Sequence, residues 1–405
     1  MTCRSMAVAL TFAAMVNSTA ASAQEPAELK TDTTQAPEQD SDAAEIGFVD
    51  KAKRWAEEKR LAERIAPREG VYARFGGMTT GSGLALGAGY RKYVLDERIF
   101  TDVSAALSTK LYKALDARAR WARFWDDRIE LWSEFRYRDY PQEDYFGPGD
   151  NSILENQTSY GIESTDIIGR ALFKALPWLT IGTDIGFFNP TIGPGTDDSV
   201  RSIEDLFADL DAPGLASLQQ PNFLHNTLFA EVDYRDRRGH PTRGGFYSTS
   251  FSTWEDVTLE QFDHHRFDAV AAQFFQVKPK HVIAVRIGLS YVNNETGDRV
   301  PFYFLPYVGG SDTLRGYREF RFRDENVLFL NAEYRFRVLP FVEVAPFFDA
   351  GEVRADWEDI GPGDLRTSYG VGFRAGTDDR VFLRMDIGTG GGEGVRVFFK
   401  FGPSF

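Results

Sequence analysis

The chain has 405 residues, a formal net charge of −14 and an aromatic content of 14%, including 34 phenylalanines. The acidic balance argues against nucleic acid as a partner. Glycine is frequent and the mean hydropathy is negative. Because a polar lumen face offsets a lipid-facing one in transmembrane β-barrels, this composition favours a barrel over a soluble protein of two or three domains.

The first 23 residues have the pattern of a secretory signal peptide. Arg4 supplies a positive charge, residues 6–16 are apolar, and Ala21–Ala23 is a cleavage site of the A-x-A type. We therefore expect a mature chain that starts at Gln24 and has lost Cys3, the only cysteine. No later stretch reaches the roughly 18 apolar residues that a membrane-spanning helix needs.

Two short segments follow the signal peptide. Residues 24–44 are rich in Pro, Gln, Asp, Glu and Thr, and this composition predicts a disordered linker. Residues 45–69 are predicted as a periplasmic helical segment, in which Phe48 and Trp55 fall near one face and Pro67 ends the helix. The helix is interpreted as a solvated spacer, as a cap on the barrel mouth or as a membrane-surface helix.

From residue 70 to 405 the apolar pattern has a period of two, which predicts an all-β, sixteen-stranded antiparallel transmembrane barrel. The predicted strands are 71–78, 83–93, 98–108, 112–124, 128–140, 158–175, 178–189, 223–235, 245–255, 263–277, 280–293, 326–338, 341–352, 367–376, 380–388 and 394–401.

Alternation is clearest in two late strands. In one, the residues predicted to face lipid are Leu330, Ala332, Tyr334, Phe336 and Val338, set between Asn331, Glu333, Arg335 and Arg337. In the other they are Val381, Leu383, Met385 and Ile387, with Arg384 and Asp386 facing the lumen.

The connections between strands predict the orientation. Every long connection falls on one side, whereas none of the predicted connections on the other side exceeds nine residues. This is the pattern of long outer loops and short periplasmic turns. The bacterial outer membrane is therefore the expected location, with both termini in the periplasm. Trp125, Trp178 and Phe341 lie at the short-turn end, where an interfacial aromatic girdle is expected.

The chain ends on an alternating strand that finishes with aromatic residues, Phe399, Phe401 and the terminal Phe405. A closed barrel needs such a strand, because pairing of the last strand with the first removes the free edge. This segment also resembles the C-terminal assembly signal of bacterial outer-membrane proteins. The resemblance implies that the barrel assembly machinery is a partner during biogenesis.

Three motifs occur in order along the second half of the chain. The first is a turn with Asp233, Arg235 and Asp236 followed by Pro241, Thr242 and Gly244. The second is Leu314-Arg315-Gly316-Tyr317, at the end of the segment Gly309–Tyr317 in the sixth outer connection, 294–325. The third is Phe347-Phe348-Asp349-Ala350-Gly351. Together they resemble the BamA/TamA superfamily of outer-membrane assembly and translocation barrels, also called the bacterial surface antigen family.

The resemblance implies that Arg315 in the inward-folded loop pairs with Asp349 inside the lumen. The chemistry agrees, because a buried guanidinium needs a fixed carboxylate and its planar fork favours a bidentate one. Gly316 and Gly351 allow close backbone approach. BamA and TamA carry POTRA domains before the barrel, whereas residues 24–69 are too few for one. The chain therefore resembles a member without POTRA domains.

Other signals are weak. Gly388–Gly394 lacks the lysine and helix of a phosphate-binding loop and is predicted to be a flexible eighth loop. His264 and His265 alternate across a strand without further ligands, and no hydrolase motif is present, so we expect no metal, cofactor or enzymatic activity. Acidic loop residues are interpreted as solvated, with cation bridging to lipopolysaccharide as a minor role; they are Glu143, Asp144, Asp150, Asp197, Asp198, Glu204, Asp205, Asp356, Glu358 and Asp359.

Three functions remain open from the sequence. The first is BamA/TamA-type assistance of protein insertion or translocation, or of lipid movement, through a weak seam between the first and last strands. Its partners are outer-membrane lipids, including lipopolysaccharide, and substrate outer-membrane proteins or a second copy. The second is a passive channel lined by Glu130, Glu134, Arg136, Arg138, Arg384 and Asp386. The third is a structural surface antigen without transport.

Overall fold

The computed structural model describes residues 69–401, apart from 77, 80, 96–97, 198, 208–219, 295–298, 340 and 362. The predicted signal peptide, linker and helix therefore lie outside the described residues, except for Glu69, and so does Phe405 of the predicted assembly signal.

The described residues form sixteen long strands, and the sixteen-stranded prediction is confirmed. They are β1 Gly70–Gly76, β2 Ala85–Val94, β3 Ile99–Ser108, β4 Lys113–Phe124, β5 Ile129–Tyr145, β6 Thr158–Leu176, β7 Leu179–Pro194, β8 Phe223–Asp233, β9 Gly244–Asp256, β10 His264–Lys278, β11 His281–Asn294, β12 Asn326–Leu339, β13 Val342–Arg354, β14 Arg366–Gly376, β15 Val381–Gly390 and β16 Val395–Lys400.

Each long strand pairs antiparallel with its neighbour in the chain, from β1 with β2 to β15 with β16, so the sheet curls into a nearly closed barrel. Short elements occur only in the long connections of the described part. They are the two-residue strands Arg201–Ser202, Tyr307–Val308 and Phe322–Arg323, the helix Ile203–Phe207, and 3-10 turns at Leu154–Asn156, Phe302–Phe304 and Trp357–Asp359. In the described residues, no helix is long and apolar enough to span a membrane.

The side chains alternate between the two faces of the barrel wall as expected from a period of two. On β12, Leu330, Tyr334 and Val338 are exposed to the outside, whereas Asn331 and Glu333 are buried toward the lumen.

One position on β15 breaks the predicted alternation. Val381, predicted to face lipid, is buried at 4% exposure. A register irregularity between Ala375 and Gly376 shifts the start of the strand, and the Val381 N–H donates to the Gly239 carbonyl of another turn at 3.2 Å. The prediction for Val381 was therefore wrong, because the pleat is interrupted and covered at that point.

The two ends of the barrel differ in their connections. At one end, called the short-turn end, the longest connection is 234–243; the other end holds every long one, including 195–222 and 295–325. Trp125, Trp178 and Phe341 lie at the short-turn end, with 68%, 46% and 43% of their surface exposed. Exposed aromatic rings at one level are typical of a membrane interface.

Candidate functional site

The connection between β11 and β12 is called loop 6, and its described residues 299–325 fold into the lumen around a small apolar core. Leu314 and Tyr317 are 0% and 2% exposed and belong to one cluster with residues of the loop and of the wall, namely Val308, Phe322, Val327 and Val353. The Tyr317 and Phe322 rings meet edge to face, with 5.4 Å between their centroids. Burial of these side chains holds the tip of the loop against β12 and β13.

Arg315 lies between Leu314 and Tyr317 in the chain, and its guanidinium lies against Asp349 of β13. Its Nε and Nη2 donate to the two carboxylate oxygens of Asp349 at 3.0 and 2.6 Å, and its backbone N–H donates to the same carboxylate at 3.0 Å. The two side chains are only 3% and 0% exposed. The Phe347 ring covers the guanidinium, with 3.7 Å between Cζ and the ring centroid. The fork of donors and the aromatic face together fix the arginine in one orientation.

Glu333 of β12 and Asp386 of β15 complete the surroundings of Arg315. Glu333 accepts from Nη1 of Arg315 and from Arg374 at 3.0 Å, and Asp386 accepts from Arg374 at 2.7 Å. The Glu333 and Asp386 side chains are both 0% exposed. The sequence motifs pointed only to Asp349. Alternation along β12 and β15 already places the other two carboxylates on the lumen face, and that is the signal that indicates them.

Glycines let the loop approach the wall. A Cβ on Gly316 would lie 2.4 Å from the carbonyl carbon of Thr389, and one on Gly388 would lie 2.6 Å from the Arg315 carbonyl oxygen. Gly351 instead faces β12, where a Cβ would lie 2.9 Å from the Leu328 carbonyl oxygen. The glycine-rich run that starts at Gly388 was predicted to be a flexible loop. Gly388–Gly390 are instead part of β15. The missing side chains of Gly388 and Gly390 make room there for Arg315 and Tyr317 of loop 6.

The turn 234–243 between β8 and β9, called the strap, is ordered by Asp236. This carboxylate accepts from the Thr242 backbone N–H at 2.8 Å, from the Thr242 hydroxyl at 2.6 Å and from the Arg243 N–H at 3.0 Å. Burial opposes ionisation, but these hydrogen bonds hold the pKa of Asp236 below its usual value. Gly244, at φ +87°, ends the strap where a Cβ would lie 2.2 Å from a backbone carbonyl oxygen.

Other residues of the predicted turn motif brace the same segment. Arg235 forms a bidentate pair with Asp233, with its Nε and Nη2 at 2.9 and 3.0 Å from the two carboxylate oxygens. The Arg235 guanidinium also stacks on the Phe246 ring, 4.7 Å from its centroid. Pro241 is buried beside His240. The strap is therefore a fixed structure.

The strap reaches across the short-turn mouth to the turn between β14 and β15, six strands away. Gly239 forms an isolated bridge with Arg380, and the Arg237 guanidinium donates to the Asp378 carbonyl oxygen at 2.8 Å. His240 is buried and lies 3.1 Å from the Thr377 carbonyl oxygen and 3.2 Å from the Glu343 carboxylate of β13. The sequence identified the turn motif but gave no sign of this crossing, because the contacts join residues far apart in the chain.

The barrel wall is incomplete between β1 and β16. Within the described ranges, β1 pairs only with β2 and β16 only with β15. A cavity of about 890 Å³ opens beside β16. Its outward rim includes Phe75, Leu84 and Phe401, and its lumen side is polar. The predicted signal residues Phe399 and Phe401 both point outward, at 62% and 55% exposure.

Sixteen antiparallel strands, an apolar outer face, charged lumen and inward-folded loop define an integral outer-membrane β-barrel. The Omp85 superfamily domain matches residues 201–404, so the chain belongs to the Omp85 superfamily. The outer membrane assembly factor BamA of Nitratidesulfovibrio vulgaris is 26% identical over 290 residues, which cover 58% of this chain and 35% of that protein. The chain thus spans about a third of the length of the curated relative that it matches.

Solved structures show the same fold. BamA from Haemophilus ducreyi lacking POTRA domains 1–3 has a TM-score of 0.60 at 17% identity, covering 83% of this chain and 70% of that one. CdiB from Escherichia coli has a TM-score of 0.55 at 12% identity, covering 83% of this chain and 63% of that one.

Proposed function

We propose that this barrel assists insertion of polypeptides into the outer membrane, or their translocation across it, through the seam between β1 and β16. The proposed activity is non-enzymatic. The observation that carries it is the outer edge of β16, which no described strand covers. Backbone N–H and C=O groups cannot be left unpaired in lipid, so such an edge favours addition of a strand from another chain.

The filling of the lumen supports this proposal against a passive channel. Loop 6 is anchored to the wall by buried charges, and the strap lies across the short-turn mouth. A solute would have to pass both segments. The seam cavity, in contrast, borders both the lumen and the outer face, which is where an inserting segment has to move.

The membership in the Omp85 superfamily and the likeness to BamA over the barrel point the same way. We propose that the short-turn end faces the periplasm, with both termini on that side. Substrate outer-membrane proteins would then approach the strap end. The outward Phe399 and Phe401 fit recognition by the barrel assembly machinery during biogenesis, with membrane lipids and lipopolysaccharide around the wall.

The test uses the purified protein in lipid vesicles and an unfolded outer-membrane β-barrel as substrate. The folded fraction is measured by heat-modifiable mobility on gels. A Gly76→Cys/Phe401→Cys variant in a Cys3→Ser background supplies the control, because a Cβ at residue 76 lies 3.4 Å from the Phe401 ring. We expect the reduced variant to accelerate folding and the oxidised, seam-locked variant to lose that acceleration. Equal rates in both states would refute a role of the seam.

Lipid movement is a second candidate, favoured by the amphipathic character of the seam cavity. Its rim is apolar, and its inner side carries Lys110, Asp312, Glu319 and Lys400. The same vesicles with a headgroup-labelled lipid measure it by loss of fluorescence to an impermeant quencher. Steady ionic conductance in planar bilayers, without folding or lipid movement, would instead support the passive channel.

A further inference from the structure

We propose that the ion pair between Asp312 of loop 6 and Lys400 of β16 is a releasable clasp through which loop 6 controls opening of the seam. The inference rests on the proposed function of the seam and adds the control of that site. It assigns a positioning role to two residues for which the sequence motifs indicated none.

The contacts place the clasp at the meeting point of loop and seam. The Lys400 ammonium group donates to Oδ2 of Asp312. One residue before it, the Ser311 carbonyl oxygen accepts from Arg384 of β15 at 2.5 Å, and the Asp312 carbonyl oxygen accepts from Arg286 of β11. The backbone of loop 6 is therefore fixed to the wall at the residue whose side chain holds β16.

The clasp differs from the Arg315 network in its exposure to water. The Lys400 and Asp312 side chains are 37% and 53% exposed, whereas those of Arg315 and Asp349 are 3% and 0% exposed. Exposed ion pairs are weak, whereas breaking a buried pair leaves an uncompensated charge. Loop 6 is thus attached strongly to β13 through Arg315 and weakly to β16 through Asp312, three residues earlier in the chain.

The weak attachment matters because β16 has a single paired edge in the described part of the chain. Its paired edge is a six-residue register with β15, from Arg384–Lys400 to Thr389–Val395, and its other edge borders the seam cavity. Lys400 lies at the end of that register, so loss of the clasp frees the end of the strand first. Partial burial of the Asp312 carboxylate opposes its ionisation, but Lys400 and nearby arginines hold its pKa below the usual value. The Asp312 carboxylate therefore stays charged at neutral pH, and the clasp opens by displacement.

The experiment measures the width of the seam directly. Spin labels are placed on cysteines at Leu86 of β2 and Val397 of β16, which are both exposed on the outer face. The full chain in a Cys3→Ser background is reconstituted in nanodiscs, and the distance distribution is recorded by pulsed electron paramagnetic resonance. The variants are Asp312→Asn, Lys400→Gln and Lys400→Arg, the last of which keeps the positive charge.

We expect Asp312→Asn and Lys400→Gln each to increase the wide-seam population about two- to fivefold, the factor that loss of an exposed ion pair gives. Lys400→Arg should stay near the parent value, because it keeps a cation beside Asp312. Lys174→Gln is the matched control, because Lys174 pairs with Glu130 at 2.6 Å on β6 and β5, away from the seam. Its distance distribution should equal that of the parent.

The clasp would be overturned if Asp312→Asn and Lys400→Gln gave the distance distribution of Lys174→Gln, or if the seam of Lys400→Arg were as wide as that of Lys400→Gln. The readout needs no substrate, so it separates the clasp from the proposed function. If the variants widen the seam but the protein moves no polypeptide or lipid, the clasp is supported and the proposed function is refuted. If the protein accelerates folding but the clasp variants change neither the seam width nor the folding rate, only the clasp is refuted.

Discussion

Replacing Arg315 by Ala tests the anchoring of loop 6. Removal of the Arg315 guanidinium leaves Asp349 and Glu333, both 0% exposed, without the cation that they share. Loss of one member of a buried pair costs about 3–5 kcal/mol. Remaining donors offset part of this cost, because Asn331 and Ser368 still donate to Asp349 at 2.8 and 3.1 Å. We therefore expect a loss near the lower value, about 3 kcal/mol.

The assay is the temperature or denaturant concentration at which the heat-modifiable folded band is lost. Arg170→Ala is the control, since Arg170 forms an equally bidentate pair with Asp184 at 2.7 and 2.7 Å. That arginine side chain is 29% exposed, so its pair should contribute only about 0–1 kcal/mol. If Arg315→Ala is no less stable than Arg170→Ala, then burial does not make the Arg315–Asp349 pair strong and the reasoning is wrong. Adding Asp349→Asn to Arg315→Ala should recover part of the loss, because the orphaned charge is removed.

Three further outcomes are expected. A cysteine at Glu155 should react with an impermeant maleimide on intact cells, whereas one at Asp126 should react only after permeabilisation; the reverse would invert the orientation. The pKa of Asp236 is lowered in the folded protein, so its ionised carboxylate stabilises the strap at pH values above the ordinary carboxyl pKa of about 4. This stabilisation is lost as the pH falls through the lower, folded-state pKa. Protease should therefore cut the strap in acid for the parent protein, but already at neutral pH for Asp236→Ala. Gly244→Ala should lower stability by more than about 1–2 kcal/mol in denaturant titration, since its φ is left-handed and a carbonyl oxygen blocks the Cβ. Gly361→Ala, with open space around its Cβ, should be neutral.

The strands could be predicted because each has a local cause. In a strand between lipid and lumen, apolar and polar side chains must alternate. The segment 330–337 shows this alternation in the sequence itself. The lengths of the connections then predict which end faces the periplasm. Val381 shows where this reasoning fails, since a register irregularity and the overlying Gly239 are decided by a turn more than a hundred residues away.

Part of the site could be predicted from the sequence for the same reason. A resemblance linked Arg315 to Asp349, but it did not indicate Glu333, Asp386 or Arg374, whose roles depend on the register among β12, β14 and β15. The crossing from His240 to Glu343 had no local signal at all. Contacts between distant segments depend on barrel closure, and period-two alternation says nothing about how loops fold inside.

The strengths of the attachments bear on how such a barrel could open without losing its fold. The Arg315 network is buried, so displacement of the loop tip from β13 would expose unpaired charges at high cost. The strap is likewise held by Asp236, Gly239 and His240. The β1–β16 seam is bordered instead by short registers, a cavity and the half-exposed Asp312–Lys400 pair. Opening at the seam therefore breaks the weakest contacts and leaves the lumen filled at both ends, so the wall can admit a segment sideways while the route along the barrel axis stays obstructed.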